Sequence, residues 1–107
     1  MNSIPSVSLL LVTYNRAGLL LEVLSKIQSY SWKYSGFVVV DNASSDSTSD
    51  VLESFKNSLG LEIISLDDNI GHGAGLAQGL RYIQEKGAKP HHVVFLEDDS
   101  IPKKGYL

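Results

Sequence analysis

The sequence predicts an α/β fold of three layers, with a mostly parallel sheet between helices. Three observations predict it. Short apolar runs recur at four places, segments with helical spacing lie between them, and polar residues gather where the runs end. Strands without a polar face are buried on both sides, as in a parallel sheet covered by helices. Strict alternation of strand and helix implies right-handed crossovers.

The first strand is expected over Val7-Ser8-Leu9-Leu10-Leu11-Val12-Thr13. A first helix follows, with Leu20, Val23, Leu24 and Ile27 on one face and Asn15 as its N-cap. Phe37-Val38-Val39-Val40 reads as the second strand. The second helix carries Val51, Leu52, Phe55 and Leu59, with Ser47 and Asp50 spaced as a capping box. Leu61–Leu66 alternates more and reads as a third strand. Leu76, Leu80 and Ile83 mark a third helix, ended near Gly87 and Pro90. Val93-Val94-Phe95-Leu96 is the fourth strand, with His91 and His92 as a polar lead-in. The tail Ile101–Leu107 is expected to add no further element, and no repeat or linker interrupts the order.

The composition bounds the class. A chain of 107 residues, 43% hydrophobic and 20% charged, suits one globular domain. The longest apolar runs are about four residues, against the ~20 that a membrane span needs. Met1–Pro5 has no basic flank and does not read as a signal peptide. Without cysteine there is no disulfide and no thiolate metal site. A net charge of −3 argues against a nucleic-acid partner, which calls for a basic patch. The expectation is a cytoplasmic protein, with a place at the membrane surface left open for a longer parent chain.

In a parallel sheet the carboxyl ends of all strands share one edge, where open α/β folds bind ligands. Here those ends read Thr13-Tyr14-Asn15-Arg16, Asp41-Asn42, Asp67-Asp68-Asn69 and Glu97-Asp98-Asp99. Three consecutive carboxylates repel one another unless protonated or neutralised by a cation. An oxygen-only donor set with open positions suits Mg²⁺ or Mn²⁺. Asp41 ends a buried strand and can accept from a base N–H, or serve only as a turn residue. Tyr14 can stack on a base or sit at the rim. Arg16 can pair with phosphate or simply occupy the first helical turn. Asp46 and Ser47 read as capping residues.

Asn69-Ile70-Gly71-His72-Gly73-Ala74-Gly75 reads as a tight turn before the third helix. It matches neither G-x-G-x-x-G nor a Walker loop, which disfavours a dinucleotide site and a P-loop. Scattered histidines give no zinc spacing.

Together these segments resemble the nucleotide-binding half of family 2 glycosyltransferases, which have a GT-A fold. SLLLVTYNR within Val7–Arg16 is similar to the family's opening strand and V-x-T-Y-N-R loop. VVVDNASSDST over Val38–Thr48 resembles its V-V-D-N-x-S-x-D-x-T segment. NIGHGAGLAQGL over Asn69–Leu80 and FLEDDSIP over Phe95–Pro102 resemble its small-residue run and acidic D-x-D-type motif. Rhamnosyl- and galactofuranosyltransferases come closest in flavour. Glu97 stands where the family usually has Asp, and Ala77 where many relatives have Asn.

The resemblance implies an inverting, metal-dependent transfer of a sugar from a nucleoside diphosphate to an acceptor hydroxyl. It implies a nucleotide-binding set of Thr13, Tyr14, Asn15, Arg16, Asp41, Asn69, Gly71 and Asp98. Within it, Thr13 and Tyr14 line the base pocket, Asp41 bonds the base, and Asp98 faces ribose or diphosphate. It implies that Asp99 holds the divalent metal, with Asp98 and Glu97 beside it. The partners implied are a UDP- or dTDP-linked sugar and a glycan or lipid-linked acceptor. Residues 1–107 then form the donor-binding portion, with the acceptor half and the catalytic base outside it. Such a portion is expected to bind donor without turnover. A sugar-phosphate nucleotidyltransferase wants a basic Gly-rich loop after the first strand, which is lacking. A non-catalytic interaction module stays open, and a receiver domain lacks its acidic pair at that first strand.

Overall fold

The computed structural model describes residues 6–86, 90 and 92–107. The readings of Met1–Pro5, Gly87 and His91 lie outside the described residues.

Strand β1 spans Val7–Thr13, helix α1 Ala17–Tyr30, β2 Gly36–Asp41, α2 Thr48–Leu59, β3 Leu61–Ser65, α3 His72–Glu85 and β4 His92–Glu97. The sheet order is β3-β2-β1-β4 and all three pairings are parallel. The expected three layers follow from alternation along the strands. Leu9 and Leu11 of β1, with Phe37 and Val39 of β2, face α1 and α2. Leu10, Val12, Val38 and Val40 face the opposite layer, where Ile83 of α3 packs. Both β1 faces are closed, so its apolar run carries no polar alternation.

Helix α1 buries the expected Leu20, Val23, Leu24 and Ile27. Helix α2 buries Leu52 and Leu59, with Val51 and Phe55 packed at the margin. Gly60 ends α2 in the left-handed region at φ 68°, which a residue without Cβ adopts at no steric cost.

Helix α3 departs from expectation. It begins at His72, so Gly73, Ala74 and Gly75 are helical rather than part of a turn. Its buried face is Gly75, Gly79 and Ile83, while Leu76 and Leu80 flank it half-buried. A Cβ at Gly75 would lie 2.9 Å from Val12 Cγ1, and one at Gly79 would overlap Leu10 Cδ1. The absent side chains let α3 lie close on β1 and β2.

Two caps differ as well. Asn15 does not cap α1, because its backbone is left-handed at φ 48° and Arg16 takes the N-cap position. Asparagine tolerates that region better than most residues. Ser47 precedes α2 without a side-chain cap bond, so the capping box does not form. Asp46 does the capping instead: its Oδ1 accepts from the Thr48 amide at 2.9 Å and from the Thr48 hydroxyl.

The tail also forms an element, a short 3₁₀ turn over Lys104–Tyr106. Side chains from the carboxyl end of α1 and just beyond it hold it. Tyr30 donates to the Pro102 carbonyl and Trp32 Nε1 to the Lys104 carbonyl, each at 2.8 Å. No helix among the described residues is long and apolar enough to cross a membrane.

Candidate functional site

The strand order reverses at β1: β2 and β3 lie on one side of it and β4 on the other. Such a switch point opens a crevice at the carboxyl ends of the strands. A cleft of about 510 Å³ lies there, between the ends of β1 and β4 and the start of α3.

Six carboxyl-end residues of β1 and β4 supply its floor and one wall: Val12, Thr13, Tyr14, Glu97, Asp98 and Asp99. Thr13 is almost wholly buried, yet among the described residues its hydroxyl has no hydrogen-bond partner. A buried polar atom left so is costly, and Thr13 is one of the residues lining the cleft. Tyr14 is exposed beside it and offers a ring face.

The opposite wall is Asn69, Gly71 and His72, held by Asn42. Asn42 is buried at the end of β2. Its Oδ1 accepts from the Ile70 amide and its Nδ2 donates to the Gly71 carbonyl, both at 2.9 Å. Asn69 adds a local turn, its Oδ1 accepting from the Gly71 amide at 2.9 Å. Gly71 itself is at φ 89°, a conformation that favours glycine.

Arg16 reaches across the mouth. Its Nε lies 3.7 Å from Asp98 Oδ2, and its Nη1 3.5 Å from Asp99 Oδ2. The loop that carries it is clamped to the loop after β2. Ser45 and Asp46 amides donate to Asn15 Oδ1, at 2.8 and 3.3 Å. The Asn15 amide donates to Ser44 Oγ at 3.0 Å, and Ala17 N–H to Asp46 Oδ2 at 3.3 Å. Asp46 thus serves the first turns of two helices. Its hydrogen bond from the Thr48 hydroxyl, then that from the Thr48 amide, holds its carboxyl below the usual carboxylate range.

Of the expected set, Thr13, Tyr14, Arg16, Asn69, Gly71, Glu97, Asp98 and Asp99 line one cleft. Two do not. Asn15 faces away, its amide engaged with Ser44 and Ser45, so it braces the site rather than lining it. Asp41 is buried outside the cleft lining, with Oδ1 accepting from the Ser44 amide at 3.0 Å. Val12, Asn42 and His72 also line the cleft, although none belongs to the expected site set. An amide residue directly after the buried run Val38-Val39-Val40-Asp41 was the available signal for Asn42.

The metal expectation needs one correction. Among the described residues, no three of His, Cys, Asp or Glu converge on a common point, so Glu97, Asp98 and Asp99 do not form a three-ligand centre. Asp98 and Asp99 still share one side of the cleft at Arg16. An oxygen-only pair of that kind fits Mg²⁺ or Mn²⁺, which commonly takes one or two carboxylates and completes its shell with phosphate and water.

The sequence model described as Glycosyl transferase family 2 matches residues 8–107. The chain belongs to that family. The chain is 29% identical over 102 residues to poly(ribitol-phosphate) β-N-acetylglucosaminyltransferase TarS of Staphylococcus aureus, covering 94% of this chain and 17% of TarS. It is 24% identical over 98 residues to poly-β-1,6-N-acetyl-D-glucosamine synthase of Staphylococcus epidermidis, covering 92% and 23%. A structure of mannosyltransferase PcManGT from Pyrobaculum calidifontis with GDP-Man and Mn²⁺ superposes with a TM-score of 0.76 at 29% identity, over 94% of this chain and 29% of that one. The structure of TarS 1–349 with UDP-GlcNAc gives 0.71 at 28%, over 88% and 26%. The family's GT-A-type α/β architecture is thus the fold of this chain. The chain spans about a fifth of the length of the curated relatives it matches.

Proposed function

We propose that residues 1–107 form the donor-binding portion of an inverting, metal-dependent glycosyltransferase. The observation that carries this reading is the buried, unpartnered Thr13 hydroxyl in the same cleft as the Arg16, Asp98 and Asp99 cluster. A nucleoside diphosphate sugar has matching parts, a neutral hydrogen-bonding base and an anionic diphosphate. Thr13 bonds the base edge and Tyr14 stacks on its face. Asp41, one residue before the cleft-lining Asn42, accepts from a base N–H, and Asn69 and Gly71 shape the wall opposite. Arg16 meets diphosphate oxygens, for which a planar guanidinium is suited. Asp98 faces the ribose or diphosphate, and Asp99 holds the metal. With Mg²⁺ or Mn²⁺ bound, the chemistry supplied is neutralisation of charge developing on the departing diphosphate.

The relatives whose structures hold UDP-GlcNAc and GDP-Man support a nucleotide-sugar donor. UDP-linked sugars are the first choice here and dTDP-linked ones the second. The acceptor is a hydroxyl of a glycan or lipid-linked saccharide, and its deprotonation by a general base is assigned to no residue of this chain. A cytoplasmic location, at the membrane surface in a longer parent chain, belongs to the same proposal.

The test is a titration of UDP- and dTDP-sugars into the chain, with and without Mg²⁺, followed by amide NMR. Metal-dependent shifts at Thr13, Asp41 and Asp99 are expected. No binding of any nucleotide would overturn the reading and leave the family and fold standing.

A further inference from the structure

We infer that Arg16 is a resident counter-ion of the acidic pair, competing with a divalent cation for Asp98 and Asp99 until a nucleotide diphosphate draws the guanidinium away. The inference rests on the donor-binding reading above and adds to it an order of events.

The geometry supports an exchangeable cation. One guanidinium approaches carboxylates of two successive residues, at 3.7 and 3.5 Å, through different nitrogens. Adjacent carboxylates repel, so the pair is held in place by whichever cation is present. A divalent cation held by the same two carboxylates would sit against the guanidinium that now neutralises them, and like charges repel. Occupancy by Arg16 and by a metal therefore compete.

The side chain is free to leave and its backbone is not. Arg16 is half-exposed and Asp99 is 44% exposed, so water can replace Arg16 at Asp99 at small cost, whereas Asp98, at 13%, calls for a replacement cation. On either side, Asn15 is bonded to Ser44 and Ser45, and Ala17 to Asp46. The guanidinium thus swings from a fixed anchor at the cleft mouth. A diphosphate entering there presents more charge than one carboxylate and matches the guanidinium fork. Arg16 turns to it, and two carboxylates become available together.

This makes nucleotide and metal binding interdependent, and thermodynamic linkage makes the effect equal in both directions. Metal alone meets a site already neutralised. Metal with nucleotide meets a site just vacated.

The test is Mn²⁺ titration of the chain by electron paramagnetic resonance, with and without UDP, for the parent, Arg16→Gln and Arg16→Lys. Amide spectra confirm that each is folded. Without UDP, Arg16→Gln is expected to bind Mn²⁺ roughly three- to tenfold more tightly than the parent, the scale of two partly exposed ion pairs. Arg16→Lys keeps the charge and is expected to stay within about twofold of the parent on the same scale. UDP is expected to enhance Mn²⁺ binding by a larger factor in the parent than in Arg16→Gln. Equal or weaker Mn²⁺ binding by Arg16→Gln, or an equal enhancement by UDP, would overturn the inference while leaving the donor site intact. A parent chain that binds neither UDP nor Mn²⁺ would overturn the donor reading and this inference with it.

Discussion

Asn42 and Gly71 are joined by a hydrogen bond from the Asn42 side-chain amide to the Gly71 carbonyl, at 2.9 Å. The same side chain accepts from the Ile70 amide. One buried residue at the end of β2 therefore sets the position of the loop that opens α3. Asn42→Ala removes both bonds and strands an N–H and a carbonyl. A loss of about 2–3 kcal/mol is expected on denaturant unfolding. Donor affinity should fall as well, measured by titration at a temperature where the variant is folded.

Thr13→Val separates stability from binding. The hydroxyl has no partner among the described residues, so replacing it with an isosteric methyl should leave the unfolding midpoint unchanged or raise it. UDP affinity should fall by roughly three- to tenfold, the worth of one neutral hydrogen bond of ~1 kcal/mol. Calorimetry on one sample reads both.

Gly79 and Gly73 should respond oppositely to alanine. At Gly79 a Cβ overlaps Leu10, and Gly79→Ala is expected to cost about 1–3 kcal/mol. At Gly73 nothing lies within 4 Å, and Gly73→Ala in the first turn of α3 should be neutral or stabilise by up to ~1 kcal/mol. Thermal unfolding of the two variants checks the sign.

Asp46 gives the fold an acid limit. Its folded-state carboxyl titrates below the usual carboxylate range because of the Thr48 bonds. Its contribution is therefore fully present above the unfolded carboxyl value. It is lost as pH falls through the lower folded value. The unfolding temperature of the parent should drop across that acidic window, and that of Asp46→Asn should drop less steeply there.

Much of this was legible in the sequence, for reasons particular residues show. Val7–Thr13 reads as a doubly buried strand because no polar side interrupts it, and its polar sequel marks the ligand edge. The α3 face was not legible. A search for apolar spacing finds Leu76 and Leu80, whereas the residues nearest the sheet are Gly75 and Gly79, which carry no hydrophobic signal. The cap at Asn15 failed for a different reason. Its partners Ser44 and Ser45 lie in another loop, and a local rule has no knowledge of a neighbour that only the parallel sheet brings near. The carboxylate triplet told of charge but not of direction. Its two useful members were sorted from the third only by where Arg16 stands.

The strand order carries a consequence for synthesis. β1 is made first, lies at the centre, and pairs on one side with β4, so Val7 must wait for His92. At about 5–20 residues per second, a ribosome needs several seconds to bridge that interval. During that time the edge of Val7–Thr13 that β4 will occupy is unsatisfied, and its neighbours Leu9, Leu10 and Leu11 are among the most apolar residues present. The nascent chain's window of aggregation closes only when the strand bearing the acidic residues arrives. The segment that completes the cleft is the same one that covers the open edge of β1.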